Sequence, residues 1–186
     1  MTESQADIVI IGGGIIGCSI AYHLAKAGMS DVQVLEKEAL TYGSTWHAAG
    51  IIGQLRSSKN HSRMLQDSVK LYEVLEEETG HASSWRQTGS IRTASTPQRM
   101  LELHRSCGMA KSFDLEAAVI SPAEARDLFP ILETDGLLGA LYVPSDGVAD
   151  PSMITQSLAA GARRLPPAAA LGTRRLYMPE RERGRG

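Results

Sequence analysis

The segment spanning residues 7–28 restricts the possible folds of this 186-residue chain more than any other. Its first part, Ile8–Ile11, is a continuous β-branched run without polar alternation, which is typical of a strand buried on both faces of a parallel sheet. The glycine pattern Gly12-x-Gly14-x-x-Gly17 follows directly and opens a predicted helix. Glycines at these positions allow a tight turn, close approach of the backbone to a pyrophosphate, and close packing of helix on strand. The segment predicts a Rossmann-like βαβ unit that binds a dinucleotide; the alternative is an ordinary βαβ turn.

A second strand and an acidic residue complete this dinucleotide pattern. The strand is predicted over residues 31–36 and ends at Glu36, where the pattern places the acid that binds ribose hydroxyls. The free N–H groups at the start of the first helix, and the positive end of its dipole, favour a bound phosphate. We therefore expect Ile15, Ile16 and Lys37 to join the turn glycines and Glu36 in holding the cofactor.

A run of small residues, GSTWHAAG at 43–50, is a second candidate for cofactor contact. Small side chains allow the backbone to approach a bulky ligand. The hydroxyls of Ser44 and Thr45 could also donate to a pyrophosphate or cap a short helix aimed at it. Trp46 and His47 are the only large residues in the run. The contacts predicted here are Ser44, Thr45, His47, Ala49 and Gly50.

Composition argues against several other functions. The chain is 42% hydrophobic and 22% charged with a net charge of −2, which is ordinary for a globular protein and gives no electrostatic footprint for nucleic acid. No apolar span of roughly 18 residues occurs and the first residues lack a secretory signal, so neither a membrane helix nor secretion is expected. Cys18 and Cys107 have no metal-ligand spacing, so no metal site is predicted. These features favour a cytoplasmic protein of bacterial type; the alternative is the mitochondrial matrix.

The rest of the chain predicts alternating helices and strands. An amphipathic pattern predicts a helix over 61–79, and a capping box with proline at the first helical position predicts a short helix after Ser121. Helices are also predicted after Thr96 and over 151–162, and strands over 88–94 and 136–143. The stretch 165–186, rich in proline and arginine, continues no periodic element and is expected to be an irregular or disordered tail.

Several longer segments extend the comparison beyond the glycine turn. They are LYEVLEEETG (71–80), QTGSIRTAS (87–95) and LYVPSDGVADP (141–151). With GGGIIG and TWHAAG, they resemble the D-amino-acid-oxidase-type FAD-dependent oxidoreductases, and among these the dimethylglycine and sarcosine dehydrogenases. The resemblance covers nearly all of residues 7–164, and TWHAAG is its most specific motif.

The resemblance implies a cofactor, a reaction and partners. It implies FAD, bonded covalently through His47, the histidine of TWHAAG; the alternative is a hydrogen-bonded structural histidine beside a non-covalent flavin. It also implies oxidative demethylation of sarcosine or dimethylglycine by hydride transfer to flavin, with an electron-transfer flavoprotein as acceptor. Tetrahydrofolate is implied only for a full-length relative. Catalytic residues are not identified.

The implied domain organisation is discontinuous. Residues 1–80 are expected to form the first part of the FAD-binding domain, 81–147 the first part of an α+β substrate domain, and 148–164 a helix returning to the FAD-binding domain. Because the resemblance stops near residue 164, we expect a truncated chain that carries the first half of an FAD site. Two other classes remain open. One is a non-catalytic regulatory subunit of the pyruvate dehydrogenase phosphatase type, and the other is an amine or amino-acid oxidase with non-covalent FAD.

Overall fold

A computed structural model describes residues 6–29 and 31–164. In chain order the strands are β1 Ile8–Ile11, β2 Val32–Leu35, β3 Ile51–Ile52, β4 Arg86–Gln87, β5 Ser90–Ala94, β6 Ala118–Ile120, β7 Gly139–Val143 and β8 Gly147–Val148. The helices are α1 Ile15–Lys26, α2 Lys59–Thr79, α3 Pro97–Ser112, α4 Pro122–Leu128 and α5 Pro151–Arg164, with a 3₁₀ turn at Thr45–His47. The mixed α/β architecture predicted from the sequence is confirmed. The predicted tail at 165–186 lies outside the described residues.

The described chain divides into two compact units. Unit 1 comprises the described parts of residues 1–49, 74–83 and 150–186; unit 2 comprises residues 50–73 and 84–149. Helix α2 contributes to both, because its last turns from Val74 belong to unit 1. The predicted domain boundaries stay a prediction. The structure groups residues 50–73 with the second unit.

Unit 1 is built on the βαβ segment. Strands β1 and β2 are parallel, with Ile8 opposite Val32 and Ile11 opposite Leu35. Helix α5 packs closely on α1, since a Cβ added at Gly161 would lie 2.7 Å from the Tyr22 ring. The core of this unit consists of Ile10, Cys18, Ala21, Tyr22, Ala25, Val32, Val34, Leu75, Ile154, Leu158, Ala159 and Ala162.

A partly buried polar contact joins α1 to the last turns of α2, two segments of unit 1 that are distant in sequence. The Tyr22 hydroxyl of α1 donates to the carboxylate of Glu78 in α2, and Lys26 Nζ lies 2.8 Å from the same carboxylate. The hydrogen bond from Lys26, and then that from Tyr22, lowers the pKa of Glu78. Burial and the Glu78 hydrogen bond raise the pKa of Tyr22.

The expected burial of β1 on both faces is wrong for this chain. Ile10 is buried, but Val9 is 50% exposed and Ile11 75% exposed, so one face of the strand is covered and the other is not. On α1, Ile16 is also 75% exposed, whereas the buried residues of this helix are Gly17, Cys18, Ala21, Tyr22 and Ala25.

Unit 2 contains two small antiparallel sheets. In one, β8 lies between β3 and β4; in the other, β7 lies between β5 and β6. The core pairs the second sheet with α3 and consists of Leu55, Ala94, Leu103, Cys107, Ala110, Leu115, Ala117, Leu141 and Val143. Two strands are shorter than predicted because a glycine with positive φ precedes each: Gly89 (+72°) before β5 and Gly136 (+75°) ahead of β7.

Asp146 is the main buried polar residue of unit 2. Its carboxylate is fully buried and accepts hydrogen bonds from the Gln54 backbone N–H at 2.8 Å, from Gln54 Nε2 at 3.2 Å, and from Ser90 Oγ at 2.6 Å. This carboxylate therefore fixes the chain after β3 against the start of β5.

The helix caps predicted from the sequence are confirmed. Thr96 Oγ1 accepts from the Arg99 N–H, and Ser121 and Glu124 form a reciprocal capping box on α4. Asp150 Oδ1 accepts from the backbone N–H groups of Ser152 and Met153 at the start of α5. No helix in the described part of the chain is long and apolar enough to cross a membrane.

Candidate FAD site

The turn between β1 and α1 needs glycine for three different physical reasons. Gly12 has φ +106°, a conformation that residues with a Cβ rarely adopt. A Cβ at Gly17 would lie 1.9 Å from the Gly12 carbonyl oxygen, so no side chain fits between helix and turn. A Cβ at Gly14 would lie 2.9 Å from Thr45 Oγ1 and one at Gly13 2.5 Å from Leu40. The glycine run therefore brings three segments of the chain together.

Glu36 lies against this turn. It follows the end of β2, and its carboxylate accepts the Gly13 backbone N–H at 2.6 Å and the Glu38 N–H at 3.0 Å. The Gly13 hydrogen bond is the largest of the effects that lower the pKa of Glu36. The side chain is thus an ionised acceptor beside the turn, as a group that binds ribose hydroxyls must be.

Thr45 reaches the N-terminus of α1. The N-cap, Gly14, has no side chain to cap the helix, and the first turn of the helix contains no acidic residue. Thr45 Oγ1 accepts the Ile15 N–H at 3.1 Å instead. A hydroxyl from the small-residue run therefore stands where the dinucleotide pattern places a phosphate.

His47 and Trp46 lie on the exposed side of the 3₁₀ turn. His47 Nδ1 is 3.1 Å from the Gly43 carbonyl oxygen, and Trp46 Nε1 donates to the Tyr42 carbonyl at 3.0 Å. The two rings stack with their centroids 3.7 Å apart. Because a carbonyl oxygen only accepts, Nδ1 of His47 carries the proton in the neutral ring and Nε2 carries the free lone pair.

The structure brings some of the predicted residues together and not others. Gly12, Gly14, Ile15, Gly17, Glu36 and Thr45 form one connected cluster in unit 1. Ile16, Lys37, Ser44, His47 and Ala49 are exposed in the same unit. Gly50 belongs to unit 2, where its carbonyl accepts the Ala149 N–H at 2.9 Å. Their contacts with a cofactor stay predictions.

Sequence reasoning overlooked Gly13. It occupies a variable position of the glycine pattern, yet its N–H holds Glu36 and its lack of a Cβ makes room for Leu40. Its place as the middle one of three consecutive glycines was the available signal. Among the described residues, no group of three His, Cys, Asp or Glu side chains could hold a metal ion.

The donor set fits FAD. A dinucleotide needs a glycine turn with no room for a Cβ and a helix whose first turn contains no acid, and both are present. It also needs a polar group beside that helix end and an ionised carboxylate after the second strand, which Thr45 and Glu36 supply. The chain belongs to the FAD dependent oxidoreductase (DAO) family, whose pattern matches residues 7–169.

The chain is similar to two amine dehydrogenases and to a phosphatase regulatory subunit. It is 48% identical over 162 residues to the mitochondrial dimethylglycine dehydrogenase of Rattus norvegicus, covering 87% of this chain and 19% of the relative. It is 44% identical over 160 residues to the mitochondrial sarcosine dehydrogenase of Homo sapiens, covering 86% and 17%. Identity to the pyruvate dehydrogenase phosphatase regulatory subunit of Mus musculus is 40% over 159 residues, covering 86% and 18%. The chain thus spans about a fifth of these relatives.

Solved structures give the same fold. The L-proline dehydrogenase of P. horikoshii superposes with a TM-score of 0.84 at 31% identity, covering 91% of this chain and 44% of that one. The predicted resemblance to FAD-dependent oxidoreductases, and among them to dimethylglycine and sarcosine dehydrogenases, is confirmed.

Proposed function

We propose that the chain provides the FAD-anchoring part of an enzyme that oxidises an N-methylated glycine, sarcosine or dimethylglycine, by hydride transfer to flavin. The observation that carries this proposal is the cluster in which the glycine turn, ionised Glu36 and Thr45 meet at the N-terminus of α1. The substrate class rests on the identity to the dimethylglycine and sarcosine dehydrogenases.

Each group of the cluster has a separate task in this proposal. FAD, when bound, supplies the acceptor for the hydride that leaves the N-methyl carbon. The N–H groups at the start of α1 bind its phosphates, and the Thr45 hydroxyl, which now accepts from Ile15, can donate its own proton to a phosphate oxygen. Glu36 accepts hydrogen bonds from the adenosine ribose without a proton of its own to lose, because its pKa is already low.

We also propose that His47 anchors FAD covalently. Its Nδ1–H is occupied by the Gly43 carbonyl, so Nε2 is the nitrogen that can form a bond, here to the 8α-methyl carbon of the flavin. That bond replaces one C–H bond, and one proton leaves the methyl carbon and one the imidazole. Dioxygen would be the oxidant that takes up the two electrons and two protons, giving hydrogen peroxide.

The first experiment measures cofactor binding by the chain itself. Purified protein freed of flavin should bind FAD and not exchange it for NAD, and Glu36→Gln should weaken binding about tenfold through loss of charge-assisted hydrogen bonds. Glu77→Gln is the matched control, because it makes the same change at an exposed glutamate of α2 in the same unit and should leave binding unchanged. No binding of FAD, or its displacement by NAD, would contradict the cofactor assignment.

The second experiment tests the reaction. Residues 7–164 of this chain replace the matching segment of the rat dimethylglycine dehydrogenase, and oxidation of dimethylglycine and sarcosine is measured with an electron-transfer flavoprotein as acceptor. We expect activity with both amines within about tenfold of the parent enzyme. A chimera that binds FAD but oxidises neither amine refutes the proposed reaction. Faster turnover with dioxygen than with the flavoprotein would identify an oxidase instead.

The identity to the pyruvate dehydrogenase phosphatase regulatory subunit supports a second candidate, a non-catalytic subunit that acts by protein contact. FAD binding by the chain, with amine oxidation in the chimera, favours the enzyme. Failure of both, with retained folding, favours the regulatory class.

A further inference from the structure

Unit 2 contains a cavity that the candidate FAD site does not use. It has a volume of about 560 Å³ and lies between α2 and the segment that follows α3. The residues that line it all belong to unit 2. Small molecules occupy cavities of roughly 300–1,000 Å³, so this cavity is large enough to be a ligand site.

The wall of the cavity that faces α2 is acidic. It carries Asp114 and Glu116, both exposed. On α2 itself, the Asp67 carboxylate lies 3.0 Å from Lys70 Nζ, whereas Glu73 is a further exposed carboxylate of the lining. In the part of the chain that the structure describes, Asp114, Glu116 and Glu73 form no ion pair. Carboxylates on two walls are therefore available to a cationic ligand.

The buried part of the lining supplies an apolar surface and a hydrogen-bond acceptor. Val69 and Leu115 are buried apolar residues of the lining. Gln54 also lines the cavity and is only 3% exposed. Its Nε2 donates to Ser145 Oγ at 2.8 Å and to Asp146 Oδ1 at 3.2 Å, whereas no described residue donates to its Oε1. A buried acceptor without a donor indicates a ligand that donates hydrogen bonds.

From these contacts we propose that the cavity binds a small organic cation, an aliphatic diamine. An ammonium group only donates hydrogen bonds, which suits both the carboxylates and the Gln54 Oε1. The methylene chain packs on Val69 and Leu115, and two ammonium groups match carboxylates that lie on two walls. The proposal goes beyond the FAD-anchoring function and requires no FAD.

The first measurement is isothermal titration calorimetry of the full chain with pentane-1,5-diamine. One molecule should bind per chain, and pentan-1-ol, an aliphatic chain of the same length without charge, should bind at least about tenfold more weakly. Between about 0.01 M and about 1 M salt the Debye length falls from about 30 Å to about 3 Å, so the affinity for the diamine should fall at least about tenfold. Absence of saturable binding, or an affinity that does not respond to salt, would overturn the proposal.

Paired substitutions locate the site. Asp114→Asn together with Glu116→Gln removes both carboxylates of the acidic wall and should weaken diamine binding about tenfold. Asparagine preserves the backbone at residue 114, where φ is +57°, because it tolerates the left-handed region. Asp127→Asn together with Asp135→Asn is the matched control. It removes two exposed carboxylates of unit 2 that do not line the cavity and should match wild type.

A third variant should change the affinity in the opposite direction. Arg63 of α2 also lines the cavity, and its positive charge repels a cation. Arg63→Gln should therefore tighten diamine binding by about threefold. A cavity that merely loses its shape on substitution would bind more weakly in every variant, so the increase is specific to a cation site.

The remaining outcomes are decisive. Equal weakening in the two double variants would show attraction by net charge alone, and weaker binding in Arg63→Gln would contradict a cation site; either result overturns the proposal. Circular dichroism establishes that each variant is folded. If the Asp114→Asn, Glu116→Gln variant is not folded, the single variant Glu116→Gln decides, and an affinity equal to that of wild type refutes the site.

Discussion

Two glycines inside helices predict opposite effects of the same substitution. Gly17 in α1 and Gly108 in α3 would each gain about 1 kcal/mol of helix propensity on replacement by alanine. At Gly108, which is exposed, a Cβ meets nothing within 4 Å, so Gly108→Ala should stabilise the protein by about 0.5–1 kcal/mol. At Gly17 the Cβ would lie 1.9 Å from the Gly12 carbonyl oxygen, which is 1.1 Å inside the 3.0 Å that such contacts require.

Gly17→Ala should therefore destabilise the protein, whereas Gly108→Ala should stabilise it. The obstacle is backbone, which cannot rotate away as a flexible side chain would, so relief requires moving the turn or the helix. Overpacking of this kind costs about 1–3 kcal/mol, and the upper part of that range less the propensity gain leaves a net loss of about 2 kcal/mol. Displacing the turn should also weaken the hydrogen bond from the Gly13 N–H to the Glu36 carboxylate, so the affinity for FAD should fall together with the stability.

Thermal unfolding followed by circular dichroism measures both effects. For a chain of this size, about 2 kcal/mol corresponds to a decrease in Tm of about 4–8 °C for Gly17→Ala, against an increase of about 1–4 °C for Gly108→Ala. Gly43→Ala is a further control, because a Cβ there meets nothing within 4 Å and the glycine has no positive φ. An unchanged Tm and unchanged FAD affinity in Gly17→Ala would refute the steric account of the turn.

Three further predictions concern polar groups that are buried or partly buried. Glu78→Gln should cost about 1 kcal/mol of stability at neutral pH by weakening the contacts with Tyr22 and Lys26. Because folding lowers the pKa of Glu78, this stabilisation is present above the ordinary value of 4.5 and is lost as the pH falls below it. Stability measured by urea denaturation between about pH 6 and about pH 3 should therefore depend less on pH in the variant than in wild type. Asp146→Asn should cost about 1–3 kcal/mol, because an amide offers one acceptor to three donors, whereas Asp135→Asn at an exposed turn should be neutral by the same measurement. Burial raises the pKa of the Cys18 thiol to about 11, so mass spectrometry after treatment with a thiol reagent near neutral pH should find Cys18 unmodified until denaturant is added; rapid labelling of the folded protein would contradict its burial.

The local elements of the fold were predictable because each has its own sequence signal. The glycine turn, the caps at Thr96 and Ser121, and the helix stop at Gly80, which has φ +67°, all depend on neighbours within a few residues. The close approach of α5 to α1 had no such signal: Gly161 is an ordinary helix residue in the sequence, and the glycine is explained by Thr79 Cγ2 and the Tyr22 ring, each 2.7 Å from an added Cβ.

The candidate site likewise contains some features that the sequence predicts and others that it does not. Gly12, Gly14, Gly17 and Glu36 follow from a spacing that the phosphate and ribose impose on any βαβ unit. The bond from Ile15 to Thr45 crosses 30 residues, and the burial pattern of β1 depends on what covers it, so neither could be derived from local periodicity. The exposure of Val9 and Ile11 shows that a continuous apolar run reports what a strand can pack against, not what it does pack against in a given chain.

The packing of α5 on α1 also governs how unit 1 can form. Residues 27–150 separate the two helices, so α1 stays without its cover until the ribosome has released the chain beyond α5. Closing a loop of that length costs entropy before any contact forms, although each further doubling of the loop length raises this free-energy cost by only about 0.6 kcal/mol. We therefore expect folding of the nucleotide-binding unit to be a late event in synthesis, whereas β5, α3, β6 and β7 are contiguous in sequence and can assemble earlier. Tyr22 and Gly161 meet last, so chaperone binding or proteolysis competes with folding at the step that packs α5 on α1.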